Sequence, residues 1–151
     1  MSRGPEANLW QLVKKNLPKK CFATRIENKH GGGVPDAHVI WDGLAFWIEL
    51  KTAKNNKPNL SPHQIAWNMA YWMNGGNNFY LVKALSTNKL YLFTGDKGPD
   101  LHDQGVSGTD GQCFENLASL FEALRLWCRR VSEPCVSGAA GSSPGATGDR
   151  T

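Results

Sequence analysis

Apolar residues recur along this chain with two different periods, and the switches between them mark out its elements. After Gly4-Pro5-Glu6, Leu9, Leu12, Val13 and Leu17 return at helical spacing. Proline suits a first helical turn, and Lys14, Lys15, Lys19 and Lys20 gather near the end, where cations suit the helix dipole. Residues 20–28 then alternate, with Phe22, Thr24 and Ile26 against Ala23, Arg25 and Glu27, which predicts a strand. A glycine-rich loop at 28–34 leads into residues 31–51, GGGVPDAHVIWDGLAFWIELK, around which the chain is organised. Its two apolar runs flank Asp42-Gly43, a strong hairpin signal because both central positions of such a turn need positive φ.

Further on, Ser61-Pro62-His63-Gln64 reads as a capping box, with serine at the N-cap, proline at N1 and glutamine at N3. It opens a helix whose expected buried stripe is Ile65, Ala66, Met69, Ala70 and Met73, ended by Gly75-Gly76. Two more strands are predicted at 78–85 and 89–94, joined by a Ser-Thr-Asn turn. Residues 95–111 show no period and are rich in Gly, Asp and Pro, so a long loop is expected. Helical spacing resumes over 114–130 through Leu117, Leu120, Phe121, Leu124 and Trp127, closing the core or offering a dimer face. From Val131 the chain is Gly, Ala, Ser, Pro and Thr without aromatics, a disordered tail in which no site is expected. The order αβββαββα predicts a three-layer α/β fold around a mixed sheet, as one domain over 1–130 and a tail over 131–151.

Side chains alternate along a strand, so Glu49 and Lys51 share a face, and folding the hairpin back brings Asp36 to the same end. Two carboxylates and an ammonium so placed can hold a hard divalent cation beside a water molecule. The plainer reading is a turn acid after proline and a solvated Glu-x-Lys ion pair. Against it, Phe46, Trp47, Ile48 and Leu50 make this a buried strand, where unpaired charge is costly.

Composition changes the picture only in places. At 151 residues, 40% hydrophobic and with six tryptophans, the chain is long enough for a real core. No apolar run approaches the ~20 residues of a membrane span, and Met1-Ser2-Arg3 begins no signal peptide, so a soluble intracellular protein is expected. The net charge is +4, and the first sixty residues alone carry ten Lys/Arg against five acids. That excess fits either a polyanionic partner or ordinary solubility. Cys21, Cys113, Cys128 and Cys135 show no metal-finger spacing, and His30, His38, His63 and His102 are scattered, which argues against zinc and for free thiols.

Val34-Pro35-Asp36, Ile48-Glu49-Leu50-Lys51 and Leu60-Ser61-Pro62-His63-Gln64, in that order, resemble the PD-(D/E)xK nuclease superfamily. The pattern is most similar to its virus-type replication and repair nucleases and to Holliday-junction resolvases, over about residues 3–94. The resemblance implies a restriction-endonuclease-like fold and a Mg²⁺- or Mn²⁺-dependent DNA endonuclease. Asp36, Glu49 and the Leu50 carbonyl would be metal ligands, and Lys51 would position water or neutralise charge. Glu6 is the one upstream glutamate that can stand for the first-helix glutamate of the resolvases, although a first-turn acid also has a purely helical role. Gln64 is implied near the phosphate or water, besides its cap. Arg25 and Lys29, just before the site, and Lys54 and Lys57, in the polar loop after it, are candidate DNA contacts. The implied partner is branched DNA, bound by a homodimer acting in recombination or repair. The implied location is the cytoplasm of a prokaryotic cell or of a virus-infected host. The alternatives are a less selective host-DNA-degrading or restriction-like nuclease, and a non-catalytic DNA-binding module.

Overall fold

Asp42 and Gly43 both take positive φ, and across that turn Trp41 pairs with Leu44, closing the expected hairpin. In this computed structural model, which describes residues 4–26 and 32–128, the hairpin joins β2 (Ala37–Trp41) to β3 (Leu44–Ala53). Helix α1 (Pro5–Lys15) and β1 (Cys21–Arg25) precede it. After it come α2 (Pro62–Met73), β4 (Asn78–Ala84), β5 (Leu90–Thr94), α3 (Gly98–Gln104), β6 (Gln112–Phe114) and α4 (Leu117–Trp127). The six strands lie side by side in chain order. Only β3 and β4 run parallel, because α2 crosses between them and returns the chain to the starting edge.

Strand parity divides the core into two layers. Phe46, Ile48, Leu50, Phe79, Leu81, Leu90 and Leu92 face one side, where α1 contributes Leu9, Trp10 and Val13 and α4 contributes Leu117, Leu120, Phe121 and Leu124. Tyr80, Val82 and Phe93 face the other side, with Ile65 of α2, Leu101 of α3 and Val106. The result is the mixed α/β sheet with helices on both faces that the sequence predicts, and α4 closes the core. No helix among the described residues is long and apolar enough to cross a membrane.

Three expectations need correction. Residues 95–111 are not a structureless loop: a 3-10 turn (Gly95–Lys97) runs into α3, and β6 then adds a sixth strand, so αβββαββα lacks two elements. Leu101 is the one buried apolar side chain of α3, and a single anchor leaves no period to read. Phe114 accordingly ends β6 rather than starting the last helix, which Asn116 caps through Ser119 N. The stripe on α2 holds only in part, with Ile65 against the core and Met69 half-buried. Ala66 and Ala70 are exposed, Met73 is 72% exposed, and the residue fully buried on that helix is Asn68. The sheet beneath α2 carries Glu49 and Asn78, so the helix turns its amides inward and its small apolar residues outward. Residues 129–151, the expected tail among them, lie outside the described residues.

Candidate active site

Past Ala37, β2 leaves β3 and the edge of β3 opens. Ile48 still pairs with Ala37, but alternate residues further along, Leu50 and Thr52, direct their amides to a side where no strand of the described residues lies. Two carboxylates take those amides. Asp36 Oδ2 accepts from Leu50 N at 2.8 Å. Glu6 Oε2, from the first turn of α1, accepts from Thr52 N at 3.2 Å and from Thr52 Oγ1 at 2.8 Å. Because the N–H and C=O of one strand residue point to the same side, the Leu50 carbonyl also faces this opening, next to Asp36.

Glu49 and Lys51 stand on the α2 side of β3. Glu49 is 1% exposed, and its Oε1 is buried without a hydrogen-bond partner among the described residues. Its Oε2 accepts from Gln64 Nε2 at 3.2 Å. Burial pushes its pKa up to about 9, helped by the negative charge of Asp36 and a carboxyl–carboxyl contact with it. Lys51 and the Asn68 amide pull the other way and do not cancel the rise. A buried carboxyl with one orphaned oxygen and a second carboxylate beside it is a donor set that suits a hard cation.

Gln64 makes the expected cap and also reaches a carboxyl of the site. Its Oε1 accepts from Ser61 N at 3.0 Å and its backbone N–H donates to Ser61 Oγ at 3.2 Å, completing the capping box, while Nε2 of the side-chain amide donates to Glu49. One turn on, Asn68 Nδ2 donates to Gln64 O at 2.8 Å, and Asn78 Nδ2 donates to Asn68 O and Oδ1, both at 2.9 Å. The Tyr80 hydroxyl, beside Glu49 on the parallel strand, is buried without a close hydrogen-bond partner among the described residues, and its pKa is raised first by burial and then by Glu49, against a smaller lowering by Asn68. The loop before Asp36 rests on the start of α2. Gly33 has φ +81, and a Cβ there would stand 2.2 Å from the His63 carbonyl oxygen, so only glycine fits.

The structure therefore gathers Asp36, Glu49, the Leu50 carbonyl, Lys51 and Gln64 at one end of the hairpin. It does not gather Glu6 with them as a third acidic ligand. Thr52, which holds Glu6, lies opposite to Glu49 and Lys51 by strand parity, and no three His, Cys, Asp or Glu side chains among the described residues could share a metal. Arg25, Lys54 and Lys57 are exposed on the neighbouring strand and loop, whereas Lys29 lies outside the described residues. Asn56 fixes the basic loop to the end of α3: its Nδ2 donates to Gln104 O at 2.9 Å and its Oδ1 accepts from Ser107 N at 2.8 Å.

No protein-family model matches the chain, and no curated protein does. Among solved structures it is similar to a Holliday junction resolvase from the archaeon Archaeoglobus fulgidus. The two share 19% identity at a TM-score of 0.42, over 58% of this chain and 70% of that one. A likeness at that level leaves the site to be argued from its own geometry.

Thr52, Asn68, Asn78 and Tyr80 were not singled out from sequence. Asn68 had one available signal, its position four residues after Gln64 on the same helix face. The others are placed by strand pairing, which no local pattern carries.

Proposed function

We propose that this protein is a divalent-metal-dependent DNA endonuclease acting on branched DNA. The observation that supports it most is Glu49, a buried carboxyl with one oxygen unpartnered among the described residues, a raised pKa and a second carboxylate beside it. The residues present fit Mg²⁺ or Mn²⁺: two carboxylates and a backbone carbonyl, all oxygen, leave room for the water and phosphate ligands such ions keep. Asp36, Glu49 and the Leu50 carbonyl would hold the ion, which when bound supplies an acidified water and positive charge for the phosphate.

The chain's own residues do the rest. Asp36 is fixed by the Leu50 amide and Glu49 by Gln64, so neither carboxylate has to reorganise when DNA arrives. Lys51, half-buried on the face of Glu49, neutralises charge that builds on the scissile phosphate. Glu6 holds the strand at Thr52 and so sets where Lys51 stands, a positioning role from the far side of the sheet. Lys54 and Lys57, in the loop after Lys51, supply charge for the flanking phosphates, whereas Arg25, paired with Ala37, stands on the α1 face and reaches only DNA that wraps round the sheet edge. Cutting both strands at a four-way junction needs two sites, which a two-fold dimer of this chain provides.

The test is cleavage of four-way, forked, linear and single-stranded DNA with Mg²⁺, Mn²⁺ or excess EDTA. Metal-dependent cutting that favours the branched DNAs is expected. Full activity in EDTA, or no cutting of any DNA with either ion, would end this reading.

A further inference from the structure

Beside the carboxylates, on the same side of the sheet, four rings form an unbroken row. His38 packs on Trp47 with centroids 4.7 Å apart, Trp47 meets Trp67 edge-on at 5.7 Å, and Trp67 stacks on Tyr71 at 4.9 Å and 13°. The last two members attach α2 to the sheet. The first two need another explanation, since no helix of the described residues covers the sheet beyond them: Phe22 is 63% and Ile40 43% exposed on that face. His38 and Trp47 are both half-buried, and His38, at the open end of the row, makes one ring contact among the described residues.

Their registers tie them to the site. His38 pairs directly with Trp47, and each lies two residues along its strand from a site carboxylate, His38 from Asp36 and Trp47 from Glu49. Two strand residues span about 7 Å, with the side chains on one face. That is near the reach from a phosphate held at Glu49 to the base beside it. Half-buried flat rings, next to a site with Lys51 and the basic loop after it, match the faces of nucleobases better than an aliphatic partner surface does.

Resting on the endonuclease reading, we infer that His38 and Trp47 form a stacking platform for an unpaired nucleobase adjacent to the cut. A base inside a continuous duplex is stacked on its neighbours and cannot use the platform. A base at a branch point or fork can, so the rings read an opened helix where charge alone would bind any duplex.

The test uses the full chain and a forked DNA with a short unpaired arm, with or without an abasic nucleotide scanned through the arm, at fixed salt. The wild type should bind the intact fork about tenfold better than the fork abasic next to the cut, the loss expected for one stacked base. Tryptophan fluorescence should be quenched only by the intact fork. His38→Ala and Trp47→Leu should each erase the difference while leaving blunt-duplex affinity within about twofold, and His38→Ala, on the open side, guards against a folding defect at Trp47. The inference is overturned if the wild type does not distinguish the two forks, or if His38→Ala still does. It is also overturned if Phe22→Ser turns a dimer into a monomer, which would assign this face to a second copy of the chain. Binding or cutting without base dependence leaves the endonuclease reading standing, whereas failure to bind any DNA removes both.

Discussion

The amide nitrogen of Gln64 lies 3.2 Å from Oε2 of Glu49 while the amide oxygen of the same side chain accepts from Ser61 N. One side chain thus ties the start of α2 to the acid at the centre of the site. Its two jobs can be separated. Ser61→Ala removes the cap alone and should cost about 1 kcal/mol of stability with cleavage nearly unchanged. Gln64→Ala should cost a similar amount of stability and also lower the cleavage rate at least tenfold. Thermal unfolding and single-turnover rates, measured on both variants, check the split. Equal rates for the two would mean that the Glu49 contact does nothing for turnover.

Asp36→Asn, Glu49→Gln and Lys51→Ala should each abolish cleavage with Mg²⁺ while leaving circular dichroism unchanged. Asp36→Asn is the most telling of the three, because an asparagine oxygen still accepts from Leu50 N and so keeps the local fold. Wild-type cutting by any of them would remove that residue from the site.

Glu6 offers a contrast. If it holds Thr52 and does not ligate the metal, Glu6→Gln keeps an acceptor for both Thr52 donors. Mn²⁺ affinity, measured by calorimetry, should then stay within about threefold, against a loss of tenfold or more for Asp36→Asn. Thr52→Val, which removes the hydroxyl donor from Glu6, should destabilise by about 1 kcal/mol. A Glu6→Gln loss as deep as that of Asp36→Asn would place Glu6 back among the ligands.

The raised pKa of Glu49 fixes a pH dependence. Its folded value of about 9 lies above the ordinary carboxyl value, so the metal-free fold holds a proton that the unfolded chain releases. Stability from this group is present in acid and is lost as pH rises from the ordinary carboxyl range toward about 9. Glu49→Gln abolishes that loss, so without metal the variant should melt higher than the wild type at pH 8, and the gap should narrow at pH 5. A cation competes with the same proton, so Mn²⁺ affinity should rise over this range and binding should release protons. Titration calorimetry in buffers of different ionisation enthalpy measures the release. A pH-independent gap would show that Glu49 does not titrate there.

What the sequence showed, it showed through local chemistry. Asp42-Gly43 fixed the hairpin and hence the approach of Asp36 to Glu49, and the capping box placed the start of α2. The buried face of α2 was illegible, because apolar counting favours Ala66, Ala70 and Met73 while the sheet beneath offers Glu49 and Asn78 and therefore draws in Gln64 and Asn68. Glu6 was visible as a first-turn acid, yet its side of the sheet depends on Thr52 and thus on strand parity from a distant element. Helix α3 has one buried leucine in a run of Gly, Asp and Pro, too little for a period.

The two carboxylates on the open edge of β3 have a second consequence, one for solubility. Bare strand amides are a template on which another chain can add a strand and begin to aggregate, and charge at the edge is a common guard against it. At Leu50 and Thr52 those amides are already taken, by Asp36 and Glu6. The same acids that arrange the chemistry therefore keep two rungs of the sheet closed to self-association, and removing both at once should cost the protein its monodispersity as well as its activity.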